Sequence, residues 1–208
     1  MEKEQHVKLF ETLGRKSNAL DMINMDNIAD ELQNLIRLCG DDPARDGLQE
    51  TPYRVIKAFF EYTQGYRQDP KALLDKVFQA THDEIVVVRD IEFNSMCEHH
   101  FAPFFGKAHI AYIPTGNIVG LSKFARMVDA WAKRFQVQER LTAQIADTID
   151  AVLSPAATAV IVEATHYCMC GRGVEKRTST TVTSAMRGAF RTNDAARSEL
   201  MQLINLGR

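Results

Sequence analysis

The five residues Met96-Cys97-Glu98-His99-His100 concentrate groups able to bind a metal or carry a proton, and His166-Tyr167-Cys168 is their counterpart downstream. Cys97 and His100 stand in a C-x2-H spacing that lets a thiolate and an imidazole converge on one ion, and Cys168 offers a third ligand of the kind zinc takes. Three protein ligands leave a fourth tetrahedral position for water, whose pKa a zinc ion lowers to roughly 7. An open position of this kind is what a hydrolytic zinc needs. His99 and His166 flank the ligands and are placed to move protons near neutral pH.

A structural zinc site is the competing reading, because such sites are built from four Cys or His ligands and Cys170 offers a fourth. If the segment is a strand, His166, Cys168 and Cys170 share one face, and a closed Cys3His site fits. The open site is favoured by the two spare histidines, for which a structural knot has no use.

The elements that must position these residues belong to a chain of 208 residues, long enough for one domain with a proper core plus helical decoration. A net charge of −2 and a charged fraction of 25% leave no basic excess of the size nucleic-acid binding requires. Four irregularly spaced cysteines point to a reducing compartment, and no apolar run reaches membrane-spanning length, so a cytoplasmic protein is expected.

Leu9, Leu13 and Leu20 form a thin helical stripe, and Ile28, Leu32, Leu35 and Ile36 a firmer one that stops near Cys39-Gly40. A second helix follows, with Thr51 at its N-cap, Pro52 in its first turn, and Val55, Phe59 and Tyr62 on its buried face. Arg54 and Lys57 lie together on its other side, where such pairs are usually solvated. The β-branched run from Ile85 to Phe93 reads as a strand delivering Cys97, with Gly106 to Ile113 as its antiparallel partner. Leu121, Phe124, Val128, Trp131 and Phe135 mark one amphipathic helix; Leu141, Ile145, Ile149 and Val152 mark another that ends before Pro155. Ala159 to Thr165 and Arg177 to Met186 then form a second strand pair. The domain division expected from this order is a helical N-terminal region over 1–83 and a catalytic domain over 84–208, one compact unit overall.

Cys-Glu-His-His at 97–100, Leu-Ser-Lys-Phe-Ala-Arg at 121–126, Gln-Val-Gln-Glu-Arg-Leu-Thr at 136–142, His-Tyr-Cys-Met at 166–169 and Arg172-Gly173 resemble GTP cyclohydrolase I, as do Gly47-Leu48 and Thr51-Pro-Tyr-Arg54. The likeness runs in order from about Pro43 to Met186. It implies an α+β tunnelling fold, a four-stranded antiparallel sheet with two helices on one face, whose subunits close a multi-subunit β-barrel and stack into a homodecamer. It implies hydrolysis of GTP to 7,8-dihydroneopterin triphosphate and formate, the first step of tetrahydrofolate and pterin synthesis. By the same resemblance Cys97, His100 and Cys168 are ligands of Zn2+, and His99 and His166 the acid-base pair. Glu139 reads guanine, with Gln138 beside it, while Ser122, Lys123, Arg126 and Arg172 hold the triphosphate together with Arg54 and Lys57 of a neighbouring subunit.

A carboxylate suits guanine because it accepts from both the ring N–H and the exocyclic amine, a donor pair adenine lacks. No G-x4-G-K-[ST] motif is present, so side chains and a helix start replace a P-loop. Cys170-Gly171 departs from the family pattern. Two other classes fit parts of the pattern: a zinc-organised binding module, and a tunnelling-fold nitrile reductase, which needs a lone nucleophilic cysteine and a nicotinamide in place of this histidine-rich set.

Overall fold

The computed structural model describes residues 19–207, with side chains from Met25 onward, so the stripe expected at Leu9, Leu13 and Leu20 lies outside the described side chains. The described residues divide into two compact units, with the boundary between Glu61 and Tyr62.

In the N-terminal unit, helix α1 (Ala19–Leu38) is followed by α2 (Thr51–Tyr62). The end of α1 is set by Gly40, whose φ of +91° is open to glycine at little cost, and by Asp41 N–H returning to Ile36 O at 3.2 Å. Met25 and Ala29 pack on Ile56 between the two helices, and Tyr53 donates to Asp26 at 3.2 Å. Ile28 and Leu35, expected on the buried stripe, are about half exposed, because the stripe that meets α2 is shifted round the helix to Met25, Ala29 and Leu32.

The larger unit contains strands β1 (Val77–Gln79), β2 (Val86–Cys97), β3 (Pro103–Ile113) and β4 (Asn117–Val119), then helix α3 (Leu121–Ala132), β5 (Phe135–Gln136) and α4 (Gln138–Leu153). It closes with β6 (Ala157–His166), the single turn α5 (Tyr167–Cys170), β7 (Thr181–Gly188), α6 (Ala189–Thr192) and α7 (Asp194–Asn205). The expected order of strand pair, helix pair, strand pair is present. β2, β3, β6 and β7 form consecutive antiparallel neighbours in an α+β unit. A small sheet of β1 and β4 accompanies them.

Three features differ from the sequence expectation. A fifth strand, β5, adds to the main sheet in parallel with the end of β2, pairing Met96 with Phe135 and Cys97 with Gln136. Helix α3 therefore stops at Ala132 and does not run on to Phe135. The Arg134 guanidinium, bonded to Gly65 O at 2.7 Å and stacked 4.4 Å over Trp131, holds the chain in this turn. The third feature is that the sheet is covered on both faces.

The alternation of β3 explains that double coverage. Phe104, Ala108, Ile110 and Tyr112 point into the main core with Phe124, Met127, Val128, Leu141, Ile145 and Ile149 from α3 and α4. Ala111 points the other way, with Ala157, Ala159 and Ile161, into a second cluster closed by Phe190, Leu200 and Ile204. Asn193 caps α7, its side-chain oxygen accepting from Ala195 N–H at 2.9 Å and Ala196 N–H at 3.2 Å. At the far end of α7, Arg89 from β2 donates to the carbonyls of Ile204 and Leu206.

Candidate active site

Two strand ends and one helix start meet at one end of the sheet. β3 lies between β2 and β6, and its register pairs Pro103 with Met96 on one side and Phe104 with His166 on the other. The chain leaving β2 and the chain leaving β6 thus emerge side by side. After β2 a tight loop forms: Phe101 N–H returns to Cys97 O at 2.9 Å, and Cys97 N–H donates to Ala102 O at 2.8 Å. Phe101 takes a left-handed φ of +51° and stacks on Phe135 at 4.8 Å, anchoring the loop.

This geometry brings Cys97 Sγ, a His100 ring nitrogen and Cys168 Sγ within 4.8 Å of one another. Cys97 is buried, Cys168 half-buried and His100 exposed, so the cluster opens to solvent on the histidine side. Two sulfurs and an imidazole nitrogen are a donor set that fits zinc. The strand does not continue past His166, because Tyr167–Cys170 is a helical turn. In such a turn residues 168 and 170 lie about 200° apart, and Cys170 is not part of the converging group among the described residues. The Cys168 thiol is pushed above its ordinary pKa, first by burial and then by the adjacent Cys97, while Arg172 pulls it down.

A cavity of about 250 Å3 opens against the cluster, lined by Cys97, His99, His100, Glu139, His166 and Cys168 among others. Seven of the expected residues meet here, since Gln138 also lines the space. His166 is the last residue of β6, its ring flat on Phe104 with centroids 4.6 Å apart and planes 5° apart. Burial holds its pKa below the ordinary histidine value, and the nearby Glu139 carboxylate pulls the other way. Glu139 is exposed in the first turn of α4, whereas the Gln138 side chain turns inward and bonds His166 Nε2 at 2.8 Å.

The remaining expected residues fall elsewhere. Ser122, Lys123 and Arg126 stand in the first turns of α3, with Lys123 3.5 Å from Asp75. Arg172 follows α5 on an exposed loop. Arg54 and Lys57 are both exposed on α2 of the N-terminal unit, and Arg54 pairs with Glu50.

Sequence reasoning missed several residues that hold the site in shape. Gln136 is buried, donating to Trp131 O at 2.9 Å and Gln144 Oε1 at 2.8 Å while accepting from Arg140 at 3.0 Å. Arg140 also pairs with Glu98, keeping that carboxyl below its usual range and tying the cysteine loop to α4. A second cluster, Asp90, His109 and Glu163, lies on the other face of the sheet, where the buried His109 accepts from Asp90 N–H at 3.1 Å across a β-bulge.

The family model for GTP cyclohydrolase I matches residues 28–205. A GTP cyclohydrolase 1 of Chlorobaculum tepidum is 55% identical over 179 residues, covering 86% of this chain and 80% of the relative. One from Rhodopirellula baltica is 48% identical over 205 residues, covering 99% and 90%, and one from Thermobifida fusca is 52% identical over 188 residues, covering 89% and 90%. Among solved structures, the apo archaeosine synthase QueF-Like is similar at a TM-score of 0.42 and 19% identity, over 50% of this chain and 93% of that one.

Proposed function

Because this chain belongs to the GTP cyclohydrolase I family, we propose that it hydrolyses GTP to 7,8-dihydroneopterin triphosphate and formate, using zinc held by Cys97, His100 and Cys168. The observation that carries the reading is the convergence of those three donors on the wall of a cavity that also holds two histidines and a carboxylate. Zinc, when bound there, supplies the Lewis acidity that makes water a nucleophile near neutral pH.

The chain's own residues bind, orient and move protons. Glu139, exposed at the start of α4, accepts from N1–H and the exocyclic amine of guanine. C8 is a poor electrophile until N7 is protonated, and His99 and His166 are the groups placed to serve N7 and the ribose oxygen. Two hydrolytic steps release C8 as formate; the ribose then opens, isomerises and closes on the freed amine, each step moving a proton. Burial disfavours the charged form of His166, against the pull of the Glu139 carboxylate, which suits the ring to accept a proton.

Ser122, Lys123, Arg126 and Arg172 bind the triphosphate, joined by Arg54 and Lys57 of a neighbouring copy in a decameric, barrel-forming assembly. What supports an assembly is the exposed apolar surface of single copies: Ile28, Leu35 and Leu38 on α1, and Phe105 and Val182 on the sheet. No helix among the described residues is long and apolar enough to cross a membrane, and the cytoplasm is the proposed location. The test is incubation of zinc-loaded protein with GTP, followed by assay of formate and of pterin fluorescence after oxidation. Formate and pterin in equal amounts are expected; neither product from fully loaded protein would overturn the proposal.

A further inference from the structure

Gln138 opens α4 on its buried face, aligned with Leu141 and Ile145, and is only 1% exposed. Its side-chain nitrogen donates to Val162 O at 2.9 Å, Thr181 O at 3.0 Å and Thr183 Oγ1 at 3.1 Å. Two of those partners are backbone carbonyls, which only accept, so the NH2 end of the amide must face them. A second set of bonds fixes the same direction. Thr142 Oγ1 gives its one hydrogen to Gln138 O at 2.8 Å, so the 2.7 Å contact between Thr142 and Thr183 is donated by Thr183. Thr183 therefore has no hydrogen left for Gln138 and meets it as an acceptor.

The amide oxygen is then the end that faces His166, 2.8 Å from Nε2. A carbonyl oxygen has no proton to give, so Nε2 must carry one. The flat stack on Phe104 holds the ring plane, and among the described residues the only hydrogen bond of the ring is the one at Nε2.

We infer that Gln138 is a positioning residue: it sets the tautomer and orientation of His166, with Nε2–H turned inward to the amide and Nδ1 left as the ring nitrogen that meets the substrate. This rests on the reading of His166 as a proton-transfer group. It also gives Gln138 a task different from that of its neighbour Glu139. Both amide hydrogens are used within the protein, so the side chain has no donor to offer a nucleotide. Glu139, one residue on and facing outward, carries the recognition of the base. The triad of Gln138, Thr142 and Thr183 ties the start of α4 to β6 and β7, so the tautomer is set by the same bonds that seat the helix on the sheet.

Neutron diffraction from crystals of the perdeuterated, zinc-loaded full chain reads this directly and needs no activity. A deuteron on His166 Nε2 aimed at Gln138 Oε1, with both amide deuterons on the side of Val162 and Thr183, is the expected result. Nε2 without a deuteron, facing the ND2 end of the amide, overturns the inference. As a second measurement, Gln138→Met should keep its zinc and lower kcat for GTP about 10- to 100-fold, with KM changed less than about threefold. An unchanged kcat, with or without a raised KM, overturns it too. Should the protein prove not to act on GTP, the neutron result still decides the tautomer.

Discussion

Replacing Phe104 by leucine tests how much of the site depends on the core beneath it. Phe104 is fully buried, with its ring flat on His166 at 4.6 Å and edge-on to Phe93 at 6.0 Å and 77°. Leucine keeps the position apolar and nearly filled, so the loss is chiefly the two ring contacts, each about 0.5–1.5 kcal/mol beyond burial. Their sum, roughly 1–3 kcal/mol, converts to a fall in Tm between about 2 and 12 °C for a chain of this size. His166 keeps its bond to Gln138 but loses the surface that holds its ring plane. A displacement of about 1 Å in a proton-transfer group lowers kcat by up to ~100-fold. Phe124→Leu is the control: Phe124 is equally buried and loses one tilted contact with Tyr112 at 5.6 Å, so it should destabilise by about 0.5–1.5 kcal/mol with kcat nearly unaltered. Differential scanning calorimetry and steady-state formate release measure both quantities. Equal kcat in the two variants, with Tm lowered in each, would refute the claim that the stack positions His166.

Cys97→Ser should lose metal and activity together, as read by elemental analysis of the purified protein. Because the Cys168 thiol is raised by burial and by Cys97, metal uptake must displace protons; zinc affinity should fall as pH is lowered from about 8 to about 6, measured by chelator competition. Glu139→Ala leaves two guanine donors unpaired, at about 1–3 kcal/mol, and should raise KM for GTP roughly 5- to 150-fold; an unaltered KM makes Glu139 a bystander. Burial holds the folded pKa of His166 below its ordinary 6.5, so just beneath that pH the unfolded chain binds a proton more readily than the folded chain. Stability should therefore rise with pH up to about 6.5 and fall as pH drops below it, a slope seen in denaturant titrations of the metal-free wild type and reduced in His166→Gln. Arg54→Ala and His166→Ala, each inactive alone, should regain turnover when refolded together, since mixed assemblies contain sites with neither lesion; native mass spectrometry must confirm mixing, and mixed but inactive assemblies count against a shared site.

Much of this architecture was legible locally. The β-branched run before Cys97 and the i, i+3, i+4 spacing from Leu141 to Val152 have one strongly preferred structure each, and both elements formed within a few residues of expectation. Phe135 lies in a strand although its spacing from Trp131 fits a helix as well; pairing with β2 and the anchoring of Arg134 decide between the two. The cap at Asn193 and the apolar Leu200 and Ile204 were readable signals for α7, but the face it covers was not.

At the site, residue types alone determined the chemistry on offer: thiol, imidazole and carboxylate are properties of Cys97, His100, Cys168, His99, His166 and Glu139 wherever the chain places them. Their order along the chain also carried the family resemblance. Which cysteine joins the cluster was decided by the helical turn at 167–170, which swings Cys170 away from the side taken by Cys168. Whether Gln138 meets the substrate or His166 was decided by the seating of α4 on β6 and β7, where two backbone carbonyls face the amide. Neither outcome has a local signature. A hydrogen bond between residues 28 positions apart depends on strand register and helix placement, which only the packed core sets.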